Sequence, residues 1–470
     1  MEKFFKLKEA GTNVKTEVLA GITTFMTMAY ILAVNPQMLS AAGMDSEAVL
    51  IATCLASFVG TLCMALMANY PFALAPGMGL NAYFAFTVCG NMGYPWQVAL
   101  FAVFVEGVIF IVLSLTKVRE AIFNAIPFTL KKGVGAGIGL FVAFIGLQDA
   151  KIVADDSSTL VTVCNFRGNW HTAGICALLA LIGLAIIAIL EIKNVKGSIL
   201  IGIISTWVLG MIFEAAGVYR PGSYKLVDGI YKASAKGSVF FASVFPSKLG
   251  ITDFSKLGET FGQCFNVDFA NVGFVNILVV MFSFLFVDMF DTIGTLIGVS
   301  DRAGMLDKEG KLPRVQNALL ADAVATCAGA VFGTSTTTTY VESSAGVGAG
   351  GRTGLSSVVT ALLFLVAIFF APVFISIPGF AVAPALIYVG FLMLSAILDI
   401  NFRDIREAFP AYLAVLAMPL TYSIAEGISI GVISYVIINT IGNLVMKDKK
   451  KITPLMYVLA VLFILKYVFL

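Results

Sequence analysis

The sequence has few charged side chains. Asp, Glu, Lys and Arg make up 12% of its 470 residues, whereas 59% are hydrophobic and the mean hydropathy is +0.95. Soluble domains contain about 45–50% apolar residues, so a water-soluble globular protein is excluded. Because one bilayer crossing takes about 20 apolar residues, the composition predicts about fourteen membrane-spanning helices. We therefore expect an all-α polytopic membrane protein.

Other features are scarce as well. The net charge is only +2 and no long basic tract is present, which argues against a nucleic-acid partner. A single histidine, His171, cannot build a zinc site, and we expect no metal and no cofactor. The seven cysteines form no CxxC pair and lie mostly in apolar runs, which is typical of small buried side chains.

Fourteen apolar segments follow one another along the chain. The first inverted repeat, residues 1–217, holds segments 1 to 7 at 18–37, 48–69, 72–88, 96–116, 132–148, 171–190 and 197–217. The second, residues 273–446, holds segments 8 to 14 at 273–299, 316–333, 335–350, 354–374, 379–398, 410–425 and 427–446. Residues 218–272 form a more polar connecting segment. Within 447–470, a basic turn precedes an apolar run, 454–470, that either crosses the membrane or lies at its interface.

The distribution of Lys and Arg predicts the orientation. With the N-terminus inside, 21 of the 30 Lys and Arg fall in inside loops, in agreement with the positive-inside rule. The start of the chain is basic and polar for too long to be a cleaved signal peptide, so we expect it to be retained. These features predict a multi-pass protein of the plasma (inner) membrane with a cytoplasmic N-terminus and an outer 218–272 segment.

Segments 3 and 10 are poor transmembrane helices for the same reason. Segment 3, PFALAPGMGLNAYFAF, contains two prolines and two glycines before Asn81. In segment 10, GTSTTTTYVESSAGVGAGG, the run from Thr334 to Thr339 favours a strand, and the part after Glu342 favours a short helix. Non-helical backbone at membrane depth is tolerated only inside protein or at a cavity. A matched pair in two seven-segment halves predicts the binding site of an inverted-repeat transporter.

Acidic residues inside the segments are costly and are therefore candidates for function. Asp288 and Asp291 are three residues apart and share a helical face with Thr292 and Thr295. Two close carboxylates cannot both be charged at low cost, so we expect one to carry a proton. Glu342 lies in the broken segment 10. The alternative for these acids is a structural role in binding free backbone groups.

Three other polar residues inside the segments are weaker candidates for a functional role. Asp322 and Glu106 each stand alone in a regular segment, and we assign them to packing or hydrogen bonding. Asn81 either caps a short helix or contacts a ligand. The run GVGAGG at 346–351 matches the dinucleotide pattern GxGxxG, but we discard that interpretation because no βαβ unit surrounds it.

These side chains favour a planar, polar heterocycle as ligand. Carboxylates accept ring N–H and amino hydrogens, an Asn side chain donates and accepts, and the first amides of a short helix donate to carbonyl oxygens. Tyr83, Phe84 and Phe286 are candidates for stacking on such a ring. Acidic residues oppose small anions such as chloride or sulfate.

Four stretches carry a specific resemblance. They are KLKEAGTNVKTEVLAGITTFMTMAYILAVNP, ALAPGMGLNAYFAF, FVDMFDTIGTLIGVSDRAGM and GTSTTTTYVESSAGVGAGGRTGL. Over essentially its whole length the chain resembles the nucleobase–cation symporter family, in particular its AzgA-like branch of hypoxanthine, guanine and adenine permeases. The resemblance implies fourteen spans in a seven-plus-seven inverted repeat, with a core domain that shifts like an elevator past a gate domain. Segments 3 and 10 would each pair a strand with a half-helix.

The resemblance also implies roles for single residues. Asp291 corresponds to the acid that contacts the base, and Asp288 to the second acid of the branch. Thr295 stands where uracil and xanthine relatives often carry a different residue, which argues against a uracil-type pocket. The expected substrate-binding residues are Asn81, Asp288, Asp291, Thr292, Glu342 and Ser343, and the proton-coupling candidates among them are Asp288, Asp291 and Glu342.

We therefore expect a proton-coupled symporter, not an enzyme, that imports purine nucleobases, with hypoxanthine and guanine as the expected substrates. The alternatives are an adenine permease of the same family and an uncoupled channel of the same fold. An intramembrane aspartyl protease is disfavoured because its GxGD motif is absent. The sequence leaves open the preferred base and the choice between proton and sodium coupling. It also leaves open the oligomeric state, although an apolar gate domain would suit a homodimer.

Overall fold

The computed structural model describes residues 2–116, 126–156, 158–220, 225–227, 230–232, 252–267, 272–302, 304–305 and 312–469. In these ranges the chain is mainly helical, with three two-stranded sheets. Ten of the described helices are long and apolar enough to cross a membrane. Much of the expected outer connecting segment 218–272, and the basic loops at 117–125 and 306–311, lie outside the described residues.

Each predicted segment of the first half coincides with helical structure. The elements are Val14–Met28 and Ile31–Ser40 (segment 1), Ser46–Cys63 with π-helical Met64–Ala68 (segment 2), strand β1 Leu74–Pro76, helix Met78–Ala82 and π-helical Tyr83–Asn91 (segment 3), Trp96–Leu115 (segment 4), Phe128–Asp149 (segment 5), π-helical Trp170–Gly174 with Ile175–Ile192 (segment 6) and Ser198–Ala215 (segment 7). Helix Glu2–Phe5 precedes segment 1. Strands β2 Val153–Asp156 and β3 Leu160–Val163 form a hairpin after segment 5.

The second half follows the same pattern. Strands β4 Lys225–Val227 and β5 Ile230–Lys232 and the 3₁₀-helices Phe254–Glu259 and Gln263–Phe265 precede it. Its elements are Phe274–Arg302 (segment 8), Val315–Phe332 (segment 9), strand β6 Thr337–Thr339 with helix Ser343–Gly348 (segment 10), Gly354–Ala367, Ile368–Phe370 and Ala371–Ile375 (segment 11), Gly379–Leu394 with Ser395–Asp399 (segment 12), Ile405–Leu420 (segment 13) and Ile424–Val445 (segment 14). The strand and short helix predicted for segment 10 are confirmed.

Several segments begin earlier than predicted, and segments 1, 5 and 13 do so by four or five residues. Segment 1 is interrupted at Ala29 and Tyr30, which separate its two helices. Segment 13 begins at Ile405 instead of 410, because the Asp404 side chain accepts a hydrogen bond from the Arg406 amide and caps the helix earlier. The sequence placed the start at Pro410, but this proline is accommodated in the second turn of the helix.

The described helices form two groups. Segments 1 to 4 pack with segments 8 to 11, and the closest pairings are 9 with 4, 9 with 2, and 11 with 1 and 2. Segments 5 to 7 pack with segments 12 to 14, where 5 packs against 12 and 13, and 13 packs against 14. We call these the first and the second helix group.

Glycines allow segment 5 to approach its neighbours closely. A Cβ atom on Gly139 would lie 2.7 Å from the carbonyl oxygen of Gly390, and one on Gly390 would lie 2.4 Å from that of Gly139. Gly133 meets Ala411 of segment 13 in the same way. Small residues at these positions let backbones touch, which is how helices associate in lipid.

The C-terminal apolar run forms helix Pro454–Phe469 and lies antiparallel to segment 14. Near one end of segment 14, the hydroxyls of Thr440 and Tyr457 are 3.1 Å apart. Near the other end, Tyr467 donates a hydrogen bond to Glu426. The run therefore extends along most of the length of segment 14.

Candidate functional site

The broken parts of segments 3 and 10 are joined to each other. Strand β1 pairs antiparallel with β6, and Ala75 lies opposite Thr338. The Gly77 amide donates to the Thr336 carbonyl at 3.0 Å, and the Tyr340 amide donates to the Ala73 carbonyl at 3.0 Å. Backbone groups that leave the helical pattern are thus satisfied by the other broken segment, as burial in a membrane protein requires.

A cavity opens beside this ribbon and between the two helix groups. Both broken segments, both halves of the chain and segment 12 of the second group contribute to it. Its lining residues are Tyr30, Gly77, Met78, Gly79, Asp291, Thr295, Thr338, Thr339, Tyr340, Val341, Glu342, Val389, Leu392 and Met393. The walls are mostly apolar or hydroxylic, and two carboxyl groups face the same space. This combination is typical of a small-molecule site.

Asp291 and Glu342 are the two carboxyl groups of the cavity. Thr338 donates a hydrogen bond to Asp291 Oδ2 at 3.2 Å. The Tyr30 hydroxyl donates to Glu342 Oε1 at 2.5 Å, and Glu342 immediately precedes helix Ser343–Gly348. Each carboxylate offers about four acceptor positions, so both keep capacity for N–H groups of a ligand.

Two other predicted site residues support the ribbon. Asn81 is fully buried and accepts a hydrogen bond from the Ser335 hydroxyl, which links segment 3 to segment 10. The Ser343 hydroxyl oxygen accepts from the Ala73 amide at 3.0 Å. Neither residue lines the cavity, so their contacts hold its walls in place.

Asp288 and Thr292 face away from the cavity toward segment 9. Thr292 Oγ1 is 2.8 Å from Asp288 Oδ1 and 3.1 Å from Asp322 Oδ1, and all three side chains are buried. A threonine hydroxyl has one hydrogen to donate, yet it touches two carboxyl groups. The hydroxyl either shares its hydrogen between the two carboxylates or accepts a hydrogen from one carboxyl that carries a proton. The two aspartates that are three residues apart therefore have different surroundings: Asp291 faces the cavity, whereas Asp288 faces Asp322.

The three aromatic residues that the sequence suggested for stacking on a ligand do not line the cavity. The proposed stacking residues lie in the packed interior: Tyr83 and Phe84 contact Phe284, with ring centroids 4.8 Å and 6.4 Å away, and Phe286 contacts Phe463 at 6.0 Å. The aromatic side chains of the cavity are instead tyrosines from segments 1 and 10. A one-dimensional pattern cannot show which neighbour a helical face meets, and this is why the candidates were misplaced.

Glu106, Asp322 and Tyr30 are three further buried polar residues near the broken segments. Glu106 is fully buried and accepts a hydrogen bond from Thr336 at 2.9 Å, in line with the hydrogen-bonding role assigned to it. Asp322 is also in line with the role assigned to it, because it contacts Thr292 and, through that hydroxyl, Asp288. Nothing in the sequence marked Tyr30.

The sequence of this chain is similar to those of known membrane permeases. A model described as the Permease family matches residues 15–430. The chain belongs to this family, the nucleobase–cation symporters. The permease is 44% identical to the guanine/hypoxanthine permease PbuO of Bacillus subtilis over 466 residues, which is 98% of this chain and 99% of the relative. It is 41% identical to the adenine permease AdeP of Escherichia coli over 469 residues, 100% of this chain and 96% of the relative.

Two solved membrane proteins share the overall fold of the permease. The transmembrane domain of the cyanobacterial bicarbonate transporter BicA aligns with a TM-score of 0.61 at 15% identity, over 88% of this chain and 97% of that chain. The structure of SLC26A9 aligns with a TM-score of 0.57 at 11% identity, over 92% and 66%. The permease is therefore a helical, multi-pass membrane transporter of this fold and not an enzyme.

Proposed function

We propose that this permease imports purine nucleobases, with hypoxanthine and guanine as its substrates, together with protons. The observation that carries the proposal is the pair Asp291 and Glu342, two carboxyl groups that line one cavity between the helix groups. Hypoxanthine and guanine present N–H donors along their ring edges, and carboxylates accept such donors. The guanine/hypoxanthine permease relative supports the same substrates.

We propose that transport occurs by movement of one helix group past the other. Segments 1 to 7 and 8 to 14 form two inverted repeats that cross the membrane fourteen times, with the N-terminus on the cytoplasmic side of the plasma membrane. The first helix group is the core domain and the second the gate domain. The β1–β6 ribbon supports this assignment, because transporters of inverted-repeat design bind substrate where broken helices meet. The core carries the base past the gate in an elevator-like shift.

We assign the transported proton to the cluster formed by Asp288, Thr292 and Asp322. The single hydroxyl hydrogen between two buried carboxyl groups supports this assignment, since a proton on one carboxyl gives Thr292 a full hydrogen bond to each and removes the repulsion between two close charges. A proton taken up from outside removes one buried charge from the core, which lowers the cost of moving it through the apolar surroundings. Base and proton thus occupy adjacent turns of segment 8.

Uptake by purified protein tests this proposal. Proteoliposomes with an imposed inward proton gradient are given radiolabelled hypoxanthine, and guanine, adenine, xanthine and uracil are added separately in excess. We expect accumulation that guanine blocks and a protonophore abolishes. Protein-free liposomes and a sodium gradient without a proton gradient are the controls.

The alternatives give distinct results in the same assay. Competition by adenine, with none by guanine, would indicate an adenine permease, which the adenine permease relative favours. Equilibration without accumulation would indicate a channel of the same fold. Accumulation that follows sodium would contradict proton coupling. Absence of uptake and of base binding by correctly folded protein would contradict the whole proposal.

A further inference from the structure

Tyr30 is the direct hydrogen-bond partner of Glu342. The two residues are 312 positions apart in the sequence, yet the Tyr30 hydroxyl lies 2.5 Å from Glu342 Oε1. Both residues line the cavity, and the Tyr30 side chain is 1% exposed. A buried phenol hydroxyl needs a partner, and here the partner is the carboxylate to which the base is assigned.

The interruption in segment 1 brings Tyr30 to this place. Helix Val14–Met28 ends just before it, and the Tyr30 carbonyl accepts from the amides of Ala33 and Val34 at 3.0 Å each in the first turn of the next helix. Tyr30 therefore stands at a fixed backbone position at the level of the cavity. The fixed backbone and the buried ring leave its hydroxyl little freedom to leave Glu342.

Segment 1 also supports the short helix that follows Glu342. A Cβ atom on Gly346 would lie 2.0 Å from Thr24 Oγ1 and 2.8 Å from the Ala20 carbonyl oxygen, so the two backbones are in close contact. The Thr27 hydroxyl is 3.4 Å from the Glu342 carbonyl oxygen. Segment 1 thus holds both the backbone and the side chain of the region that carries Glu342.

We infer that Tyr30 is a positioning residue for base binding. Its hydrogen bond keeps the Glu342 carboxylate in the one conformation in which that carboxylate accepts an N–H of the base. Three side-chain torsions of a glutamate are otherwise free, and fixing them before the ligand arrives removes an entropic cost from binding. The inference rests on the proposed function, because it takes Glu342 to be the acceptor of the base.

A double-mutant cycle on equilibrium binding tests this inference. Affinity for radiolabelled hypoxanthine is measured with purified wild type, Tyr30→Phe, Glu342→Gln and the double variant. Tyr30→Phe keeps the ring and loses only the hydroxyl, and we expect it to weaken affinity about tenfold, as loss of a group that orients a binding residue does. In the Glu342→Gln background the same change should have almost no further effect, because the two residues act as one unit.

Tyr435→Phe is the matched control. It removes another buried tyrosine hydroxyl that donates to a glutamate, Glu407, at 3.3 Å, and this pair does not line the cavity. We expect wild-type affinity from it. An unchanged affinity of Tyr30→Phe would overturn the inference. Losses that simply add in the double variant would also overturn it, since Tyr30 would then act on the base independently of Glu342.

The failure of the proposed function is distinguishable from the failure of this inference. If the wild type binds no purine, the proposed function fails. The same four proteins are then compared by thermal unfolding. Non-additive losses of unfolding temperature would still support Tyr30 as the residue that holds Glu342, and additive losses would overturn it.

Discussion

The buried acids of segment 8 occupy two different chemical environments. Asp291 faces the cavity and accepts from Thr338, whereas Asp288 shares the Thr292 hydroxyl with Asp322 of segment 9. A turn of helix separates them, so under the proposed function the group that binds the base and the group that holds the proton are close without being identical.

At the same scale, Asp322→Asn should uncouple transport from the proton gradient. An Asn amide donates a hydrogen to Thr292 at any pH, so the cluster stays in the state that resembles its protonated form. We expect base exchange to continue and affinity to stay within about threefold of wild type, because the residue does not line the cavity. Gradient-driven accumulation of hypoxanthine in proteoliposomes should be lost.

Glu259→Gln is the control for that experiment. This acid is exposed and pairs with Lys256 at 2.7 Å in the 218–272 segment, so its loss should leave accumulation unchanged. Full gradient-driven accumulation by Asp322→Asn would place the proton elsewhere, and Asp291 and Glu342 would then be the remaining candidates.

Among the elements, the short helix Ser343–Gly348 depends most on its neighbour. It is too short to be stable alone, because its few hydrogen bonds do not offset the conformational entropy lost when the first helical turn forms. Its support comes from the close contact with segment 1 and from Arg352, whose guanidinium donates to the Val347 carbonyl at 2.7 Å. The position of Glu342 is thus set by residues outside its own helix.

Gly346→Ala should therefore displace this helix. Its new Cβ would lie 2.0 Å from Thr24 Oγ1, which is able to rotate, and 2.8 Å from the Ala20 carbonyl oxygen, which is not. We expect base affinity to fall more than about tenfold in the equilibrium binding assay, since a displacement of about 1 Å at a binding group suffices for such losses.

Gly348→Ala provides a matched comparison in the same helix. A Cβ atom there meets nothing within 4 Å, so we expect wild-type affinity. Equal affinities of the two variants would show that the contact between segments 1 and 10 does not hold the site.

For the whole molecule, the important feature is the boundary between the two helix groups. Besides the cavity, one contact at this boundary involves Tyr422, in the turn between segments 13 and 14. The Thr87 hydroxyl of segment 3 donates to the Tyr422 carbonyl at 3.3 Å, and the Phe86 ring of the same segment lies 5.6 Å from that of Tyr422. If the core shifts past the gate, this contact has to break.

A reversible cross-link at this contact should stop transport. In a background that lacks the seven native cysteines, Phe86→Cys together with Tyr422→Cys places two thiols on side chains that face each other across the boundary. After oxidation we expect at least a tenfold loss of uptake that a reductant restores, because a shift between rigid groups cannot occur across a covalent bond. The two single-cysteine variants are the controls. Full uptake by cross-linked protein would contradict an elevator-like movement.

The sequence by itself determined the class of protein, the approximate position of each helical segment and the breaks in segments 3 and 10, but not the interruption of segment 1. These properties are local: apolar length, proline, glycine and β-branched runs act on the backbone where they occur. The strand and short helix of segment 10 were predictable for that reason. The family was also predictable, because several motifs carried it together.

Only the tertiary structure decided which acids share a space. Asp288 and Asp291 are neighbours on one helical face, yet one meets segment 9 and the other meets segment 10. The contact between Tyr30 and Glu342 joins residues 312 positions apart. The surroundings of a side chain depend on which helix packs against it, and in this fold the two halves interdigitate. A pattern read along one segment contains no information on that neighbour, so the partners of each acid emerged only from the packing.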